Sequence, residues 1–98
     1  MNEDMTEEHY RFFGMLNNYQ RISKFWSAET LTLDIKELQQ ELNQLSTGER
    51  HMAQFFASVW LNDSGLELFE FDLISAVRVL DESSIQIISK WLKESFFP

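Results

Sequence analysis

Cysteine is absent from this chain of 98 residues, and glycine and proline are scarce, with three and one respectively. Without cysteine the chain has no disulfide framework, no thiolate nucleophile and no cysteine-ligated zinc or iron–sulfur site. None of the three glycines begins the G-x-x-x-x-G-K-[ST] loop that cradles nucleotide phosphates. The composition therefore excludes disulfide scaffolds, cysteine-based catalysis and P-loop nucleotide chemistry.

Positive charge is scarce as well. Eight Lys and Arg residues stand against 16 Asp and Glu residues, for a net charge of −8 at pH 7. Contacts from Lys and Arg to phosphate supply most of a protein's affinity for nucleic acids, and basic segments supply adhesion to anionic membrane surfaces. We therefore expect no direct binding of DNA or RNA and no adhesion to a membrane.

A long apolar run is also missing. The most apolar stretch, MAQFFASVWL at 52–61, has ten residues and includes Gln54 and Ser58, whereas a transmembrane helix needs about 20. The sequence begins MNEDMTEEHYR, which is acidic where a secretory signal is basic. These features predict a cytoplasmic protein.

The chain is rich in hydrophobic residues, and many of them recur at helical spacing. Hydrophobic residues make up 44% and aromatic residues 14%, a composition that predicts one globular domain over residues 1–98. A first helix is predicted over 6–26, capped by Asp4 or Thr6 and weakened near 14–18 by Gly14 and two asparagines. Its apolar stripe recurs every three or four residues, at Phe12, Met15, Tyr19, Ile22 and Trp26.

Further helix starts are marked by capping residues, at Asp34, Ser46, Asp72 and Asp81. Residues 27–33 are predicted to connect the first two helices. The run LELFEF at 66–71 fits neither the helical nor the strand period; an irregular, partly buried link is favoured, and a strand paired with a second molecule is the alternative. The pattern predicts an all-α fold, an irregular bundle of four or five short helices.

The segment LSTGER at 45–50 resembles the signature loop of ABC-type ATPases, in which a similar run opens a helix beside nucleotide phosphate. That function also requires a phosphate-binding loop elsewhere in the chain, and this sequence has none. Ser46 and Glu49 instead match the S-x-x-E capping box, in which the serine hydroxyl and the glutamate carboxylate each accept a backbone N–H. We interpret the segment as a helix start.

Few residues are spaced for chemistry. His9 and His51 are predicted on different helices, each without a partner at metal-ligating spacing. Acid pairs such as Glu37 and Glu41 have helical spacing, which is ordinary on a solvated helix face. No serine stands in a G-x-S-x-G setting. We expect no catalytic residues, no metal, no cofactor and no enzyme activity.

Aromatic side chains are the strongest remaining signal, because several are adjacent in sequence. Neighbours on a helix point about 100° apart, so each pair covers a wide arc. One small core can absorb them all, or some can form a patch for a partner. The candidate interaction surface is the flank of the first helix, made of Phe13, Leu16, Phe25 and Trp26.

These features favour a non-catalytic module that binds another protein or itself, as an adaptor or regulator. The aromatic surplus predicts a homodimer, or a monomer that dimerises more tightly as salt rises, because salt screens the repulsion between two copies of charge −8. The alternative is an inhibitor of a DNA-binding protein that mimics nucleic acid with its acidic side chains, or an antitoxin-like combination of the two.

Overall fold

The computed structural model describes residues 5–62 and 71–98. In these residues the chain forms six α-helices, a short 3₁₀ helix and one two-stranded hairpin. The helices are α1 Glu7–Leu16, α2 Gln20–Ser23, α3 Ile35–Glu41, α4 Thr47–Leu61, α5 Leu73–Val77 and α6 Glu82–Lys93. The 3₁₀ helix is Leu42–Gln44, and the strands are β1 Trp26–Ser27 and β2 Thr32–Leu33. The predicted all-α fold is confirmed; of the ambiguous segment 66–71, residues 66–70 lie outside the described residues.

Side-chain caps begin the helices where the sequence places them. Ser46 and Glu49 form the predicted capping box of α4: the Glu49 N–H donates to Ser46 Oγ at 3.2 Å, and the Ser46 N–H donates to Glu49 Oε1 at 3.0 Å. Asp34, Asp72 and Asp81 accept backbone N–H groups at the starts of α3, α5 and α6. LSTGER is thus a helix start in the folded chain.

The first helix is capped by Thr6 through an unusual partner. Thr6 Oγ1 accepts the His9 N–H at 3.3 Å, and His9 Nδ1 accepts the Thr6 N–H at 3.0 Å, so an imidazole fills the place usually held by Glu or Gln. The predicted break is also observed. α1 ends at Leu16, and the Asn18 side chain donates to the carbonyl oxygens of Gly14 and Met15, which occupies acceptors left open by the helix end.

The prediction that Trp26 continues the first helix is wrong. Trp26 lies in β1 and pairs with Leu33 of β2, while Ser27 pairs with Thr32. The turn between the strands includes Leu31 at φ 53°, a left-handed conformation that costs energy for a residue with a branched side chain. The local sequence does not predict this hairpin, because the hairpin has only two paired residues in each strand and depends on packing against the core.

The core is built around α4. Its buried residues share one broad face, and they are Met52, Ala53, Phe55, Phe56, Ala57 and Val59. Phe12 and Leu16 of α1 and Ile22 of α2 pack into the same cluster with no exposed surface. The Cα radius of gyration is 12.8 Å, close to the value of about 13 Å for a compact chain of about 100 residues.

Within the described ranges, none of the helices combines the length and the apolar character that crossing a bilayer would require.

Candidate functional site

The four residues that the sequence nominates as an interaction surface lie inside the protein. Phe13, Leu16, Phe25 and Trp26 expose only 8%, 0%, 3% and 7% of their surfaces. The expectation that they form an exposed flank is therefore corrected by their burial.

Ring packing explains why that flank is covered. Trp60 of α4 lies 5.8 Å from the Phe13 ring and 5.1 Å from the Phe12 ring, between centroids. The Trp26 ring is 5.9 Å from that of Phe12. Because α2 ends at Ser23, Trp26 packs back onto Phe12 of α1, and Phe25 is part of the buried core. Phe12, Phe13 and Leu16 of α1 are thereby enclosed, whereas Tyr10 on the same helix is 48% exposed.

An apolar groove opens beside α4 and α6. It has a volume of about 340 Å³ and is lined by side chains of α4, the start of α5, α6 and the C-terminal segment. The lining residues are Phe55, Ser58, Val59, Phe71, Leu73, Ile88, Trp91, Leu92 and Phe97. These nine residues define the α4/α6 groove.

Aromatic contacts hold the walls of the α4/α6 groove in place. The Phe55 ring lies 5.5 Å from both Phe71 and Trp91, and Trp91 meets Phe97 edge-on at 5.6 Å. Such tilted and edge-on pairs contribute about 0.5–1.5 kcal/mol each beyond burial. These contacts connect four of the nine lining residues to one another.

The C-terminal segment is anchored so that Phe97 projects at the groove. Phe96 is 7% exposed, and its carbonyl oxygen accepts the Trp91 indole N–H at 2.9 Å. The Arg11 guanidinium lies 4.4 Å from the centre of the Phe96 ring, a cation–π contact. Nothing in the sequence distinguishes these two adjacent phenylalanines, yet Phe96 is in the core and Phe97 is on the surface.

Large apolar side chains around the groove face solvent. Leu73, Leu92 and Phe97 of the lining expose 40%, 55% and 46% of their surfaces. Beside Leu73 on α5, Ile74 and Val77 expose 65% and 44%. A cluster of this kind on one side of a small domain is typical of an interaction site.

A polar crevice of about 500 Å³ lies between α6 and the end of the α1–α2 turn. Here the Tyr19 hydroxyl and Ser84 Oγ are 2.7 Å apart. Burial raises the pKa of Tyr19, so the hydroxyl is neutral near pH 7. Asp81, at the same crevice, accepts the Ser84 N–H as the cap of α6. These groups bond to one another and to the backbone, an arrangement that joins helices.

Acidic side chains are held in their ionised form mainly by the helices that they cap. The hydroxyl and N–H of Ser75 lower the pKa of Asp72. The Ser84 N–H lowers the pKa of Asp81, and the Ser46 N–H lowers that of Glu49. Stabilising hydrogen bonds to the charged carboxylate are the cause in all three. Asp72 is exposed and precedes Leu73 of the groove.

The histidines stand in different surroundings. His9 caps α1 and lies 5.9 Å from the Trp60 ring, while the buried Nδ1 of His51 has no hydrogen-bond partner among the described residues. Residues 5–62 and 71–98 hold no group of three His, Asp or Glu side chains that could bind a metal ion. The sequence expectation of no metal and no cofactor stays a prediction.

One signal in the sequence points to the groove. Five large apolar residues fall within eight positions of α6, namely Ile85, Ile87, Ile88, Trp91 and Leu92. They cover more than one stripe of the helix, so a single neighbour cannot bury them all.

Comparison of the chain with protein-family models, with curated proteins and with solved structures found no match.

Proposed function

We propose that this chain is a non-catalytic cytoplasmic module that binds another protein through the α4/α6 groove, in an adaptor or regulatory role. The observation that supports the proposal is the exposure of Leu73, Leu92 and Phe97 around a preformed apolar depression. Exposed apolar groups of this size are costly in water, and burial against a partner returns about 25 cal/mol for each Å² covered.

Contacts among the groove side chains add to this support. Trp91 packs against the rings of Phe55 and Phe97, and its indole N–H donates to the Phe96 carbonyl oxygen. A partner that binds them would lose less conformational entropy than one that must order a flexible surface. Aromatic anchors surrounded by smaller apolar contacts are also the usual composition of an interface hot spot.

Self-association, which the sequence predicts, draws less support from these observations. The flank on which that prediction was based is buried. Two copies would also bring together surfaces that each carry a net charge of −8, and this repulsion acts over about 8 Å at physiological salt. We therefore favour a different protein as the partner.

The nucleic-acid mimic also draws less support. A mimic needs acidic groups free to face the basic groove of its target. Glu49, Asp72 and Asp81, three of the 16 acidic residues, instead accept hydrogen bonds at the starts of their own helices, so these three serve local structure. The high acid content is accounted for in part without a nucleic-acid-like face.

A matched pair of variants tests the proposal. Leu92→Asp places a charge in the groove, whereas Val79→Asp adds the same charge at a residue that is 50% exposed and outside the lining. Each protein would be immobilised and incubated with extract of its native cell, and bound proteins would be quantified by mass spectrometry. Candidates would then be purified and their binding measured by calorimetry.

We expect a partner that binds the wild type and Val79→Asp saturably and loses at least about tenfold in affinity for Leu92→Asp. Partners that bind all three proteins equally would show that the groove is not the binding surface. Circular dichroism of both variants provides the check that the fold is unchanged.

A further inference from the structure

We infer that Thr6 and His9 form a pH-sensitive cap, in which a proton on the His9 imidazole removes the acceptor of the Thr6 N–H and loosens the first turn of α1. This device lies in the N-terminal helix and is independent of the α4/α6 groove. Three observations support it: the ring atom that accepts the hydrogen bond, the construction of the second capping box in the chain, and the groups that surround the ring.

The cap requires an imidazole that carries its one proton on Nε2. His9 Nδ1 accepts the Thr6 backbone N–H at 3.0 Å, and the His9 N–H donates to Thr6 Oγ1 at 3.3 Å. A ring nitrogen accepts a hydrogen bond only while it has no proton. A second proton makes Nδ1 a donor, which can donate to Thr6 Oγ1 at 3.1 Å. The Thr6 N–H then has no acceptor within the box.

The capping box of α4 has the same geometry and a different acceptor. There the Ser46 N–H donates to Glu49 Oε1 at 3.0 Å. The ordinary pKa of a glutamate is about 4.3, and hydrogen bonds from Ser46 lower the pKa of Glu49, so this acceptor stays charged at about pH 5–8. Histidine is the side chain that ordinarily changes its charge in that range. The chain therefore has one box with a constant acceptor and one whose acceptor is a histidine.

One contact of His9 favours a charged ring, and two features oppose it. The ring packs on Trp60 of α4 at 5.9 Å between centroids, where an imidazolium would gain a cation–π contact. Against this, the acceptor of the Thr6 N–H is lost, and a positive charge in the first turn lies at the positive end of the helix dipole.

Other charged groups do not compensate. Glu7, Glu8 and Arg11 are one or two positions from His9 on its own helix, and side chains at that spacing do not face each other. The ion pairs of the described ranges, 5–62 and 71–98, do not include His9. The folded cap thus excludes a proton that the unfolded chain accepts, so stability falls as the pH is lowered.

Three forms of the intact chain test the inference: the wild type, His9→Gln and His51→Gln. Gln is one of the two usual partners in a capping box, so His9→Gln keeps an acceptor that does not titrate. His51 is the other of the two histidines and serves as the matched control. Urea denaturation followed by circular dichroism gives the equilibrium constant for unfolding at about pH 7.5 and about pH 5.5, on either side of the ordinary histidine range. Each protein is compared with itself, so a constant loss of stability cancels.

Between these two pH values we expect the equilibrium constant for unfolding to rise about threefold or more in the wild type and in His51→Gln, as for a lost cap. In His9→Gln it should stay within about 1.5-fold. In NMR spectra of the wild type, the Thr6 amide signal should shift with the same midpoint as the His9 imidazole, while the Ser46 amide signal stays in place.

Other outcomes overturn the inference. An equal rise in the wild type and His9→Gln would assign the response to other groups, and a rise that His51→Gln abolishes would assign it to His51. No change, or greater stability of the wild type at the lower pH, would show that the Trp60 contact outweighs the lost bond. A Thr6 amide signal that stays in place while the imidazole titrates would show that the Thr6 N–H keeps its acceptor.

Discussion

Helices α1 and α6 are alike in sequence character and opposite in outcome. They have 10 and 12 residues, each begins at a side-chain cap, and each carries more large apolar residues than one stripe requires. In α1, Phe12, Phe13 and Leu16 are all buried. In α6, Ile88 is buried while Leu92, one turn later, is 55% exposed.

The difference lies in what surrounds each helix. α1 is enclosed by Trp60 on α4 and by Trp26, which the hairpin brings back onto it. α6 has α4 on one side and the crevice and groove beside it. A wide apolar arc therefore indicates either a helix covered on several sides or an interface, and sequence periodicity alone does not distinguish them.

The largest contrast is expected from truncating an apolar side chain in each helix. Phe12 is fully buried and contacts the rings of Phe13, Trp26, Phe56 and Trp60. Phe12→Ala should lower the free energy of unfolding by about 3–5 kcal/mol. The matched truncation Leu92→Ala should cost about 1 kcal/mol or less, because the side chain is already half in water. Urea denaturation followed by tryptophan fluorescence measures both.

If Phe12→Ala fails to fold, Phe12→Leu gives a measurable intermediate loss. Equal costs for the two truncations would remove the distinction between a covered α1 and an open α6.

Helix starts were predictable from sequence because capping is a local interaction. Ser46 with Glu49, and Asp34, Asp72 and Asp81, depend on residues within three positions of one another. The end of the first helix at Leu16 is local as well, since the Asn18 side chain donates to the carbonyl oxygens of Gly14 and Met15, whereas the packing of the hairpin on the core involves contacts over a longer range. Gly14 and the asparagines indicated a break, but nothing local indicated that Trp26 would return to pack on Phe12.

Removing a helix cap should lower the free energy of unfolding by a similar amount in α4 and in α6. Cap variants therefore serve as a control for the contrast in packing. Ser46→Ala removes one half of the α4 capping box, and Asp81→Ala removes the acceptor at the start of α6. Each should lower the free energy of unfolding by about 0.5–2 kcal/mol. Thermal denaturation with and without ATP adds a second readout: we expect no change in melting temperature with the nucleotide.

Saturable binding of ATP that is lost when Gly48 is substituted would instead support the nucleotide interpretation of LSTGER. A much larger loss for Asp81→Ala than for Ser46→Ala would show that the two regions differ in more than packing.

One hydrogen bond connects the covered region with α6. Tyr19→Phe removes the hydroxyl that lies 2.7 Å from Ser84 Oγ, and Ser84 is buried. The loss should be about 0.5–1.5 kcal/mol. In a double-mutant cycle with Ser84→Ala, the second substitution should cost less once the first is made, because the partner is already gone. Strict additivity of the two losses would mean that the hydroxyls do not interact.

Lowering the pH should gradually reduce the stability that the carboxylates at the starts of α4, α5 and α6 contribute, and this effect should be smaller than those of the substitutions above. The pKa values of Glu49, Asp72 and Asp81 are lowered in the folded chain, so their contribution is full above the ordinary values of about 4 and is lost as pH falls through the folded values. Glu37, whose pKa is raised mainly by desolvation and further by Asp34, acts in the opposite sense. Three lowered groups against one raised group predict a net loss of stability in acid.

Urea midpoints measured from pH 6 down to pH 3 follow this loss. Asp81→Asn keeps a capping oxygen without the titrating charge and should make the decline shallower. A decline of unchanged steepness would exclude Asp81 from the acid response.

The groove was less predictable than the fold because exposure is decided by tertiary packing. Leu92 follows Ile88 at helical spacing, so the sequence predicts that both are buried. Phe96 and Phe97 are adjacent phenylalanines, and the sequence does not predict which of them is exposed. Only the placement of α4, α5 and the C-terminal segment separates the buried member of each pair from the exposed one. The sequence indicated an apolar surplus on the first helix, whereas the exposed apolar side chains around the groove lie on α5, α6 and the C-terminal segment.

The most direct measurement introduces the same charge at two successive positions on one face of α6. Ile88 is 3% exposed and Leu92 is 55% exposed, so the central claim is that the first belongs to the core and the second to an open binding surface. Ile88→Asp should lower the free energy of unfolding by several kcal/mol, on the order of 3–5, or prevent folding. Leu92→Asp should change it by about 1 kcal/mol or less in urea denaturation. A loss of several kcal/mol for Leu92→Asp would contradict the account, because the groove would then be part of the core.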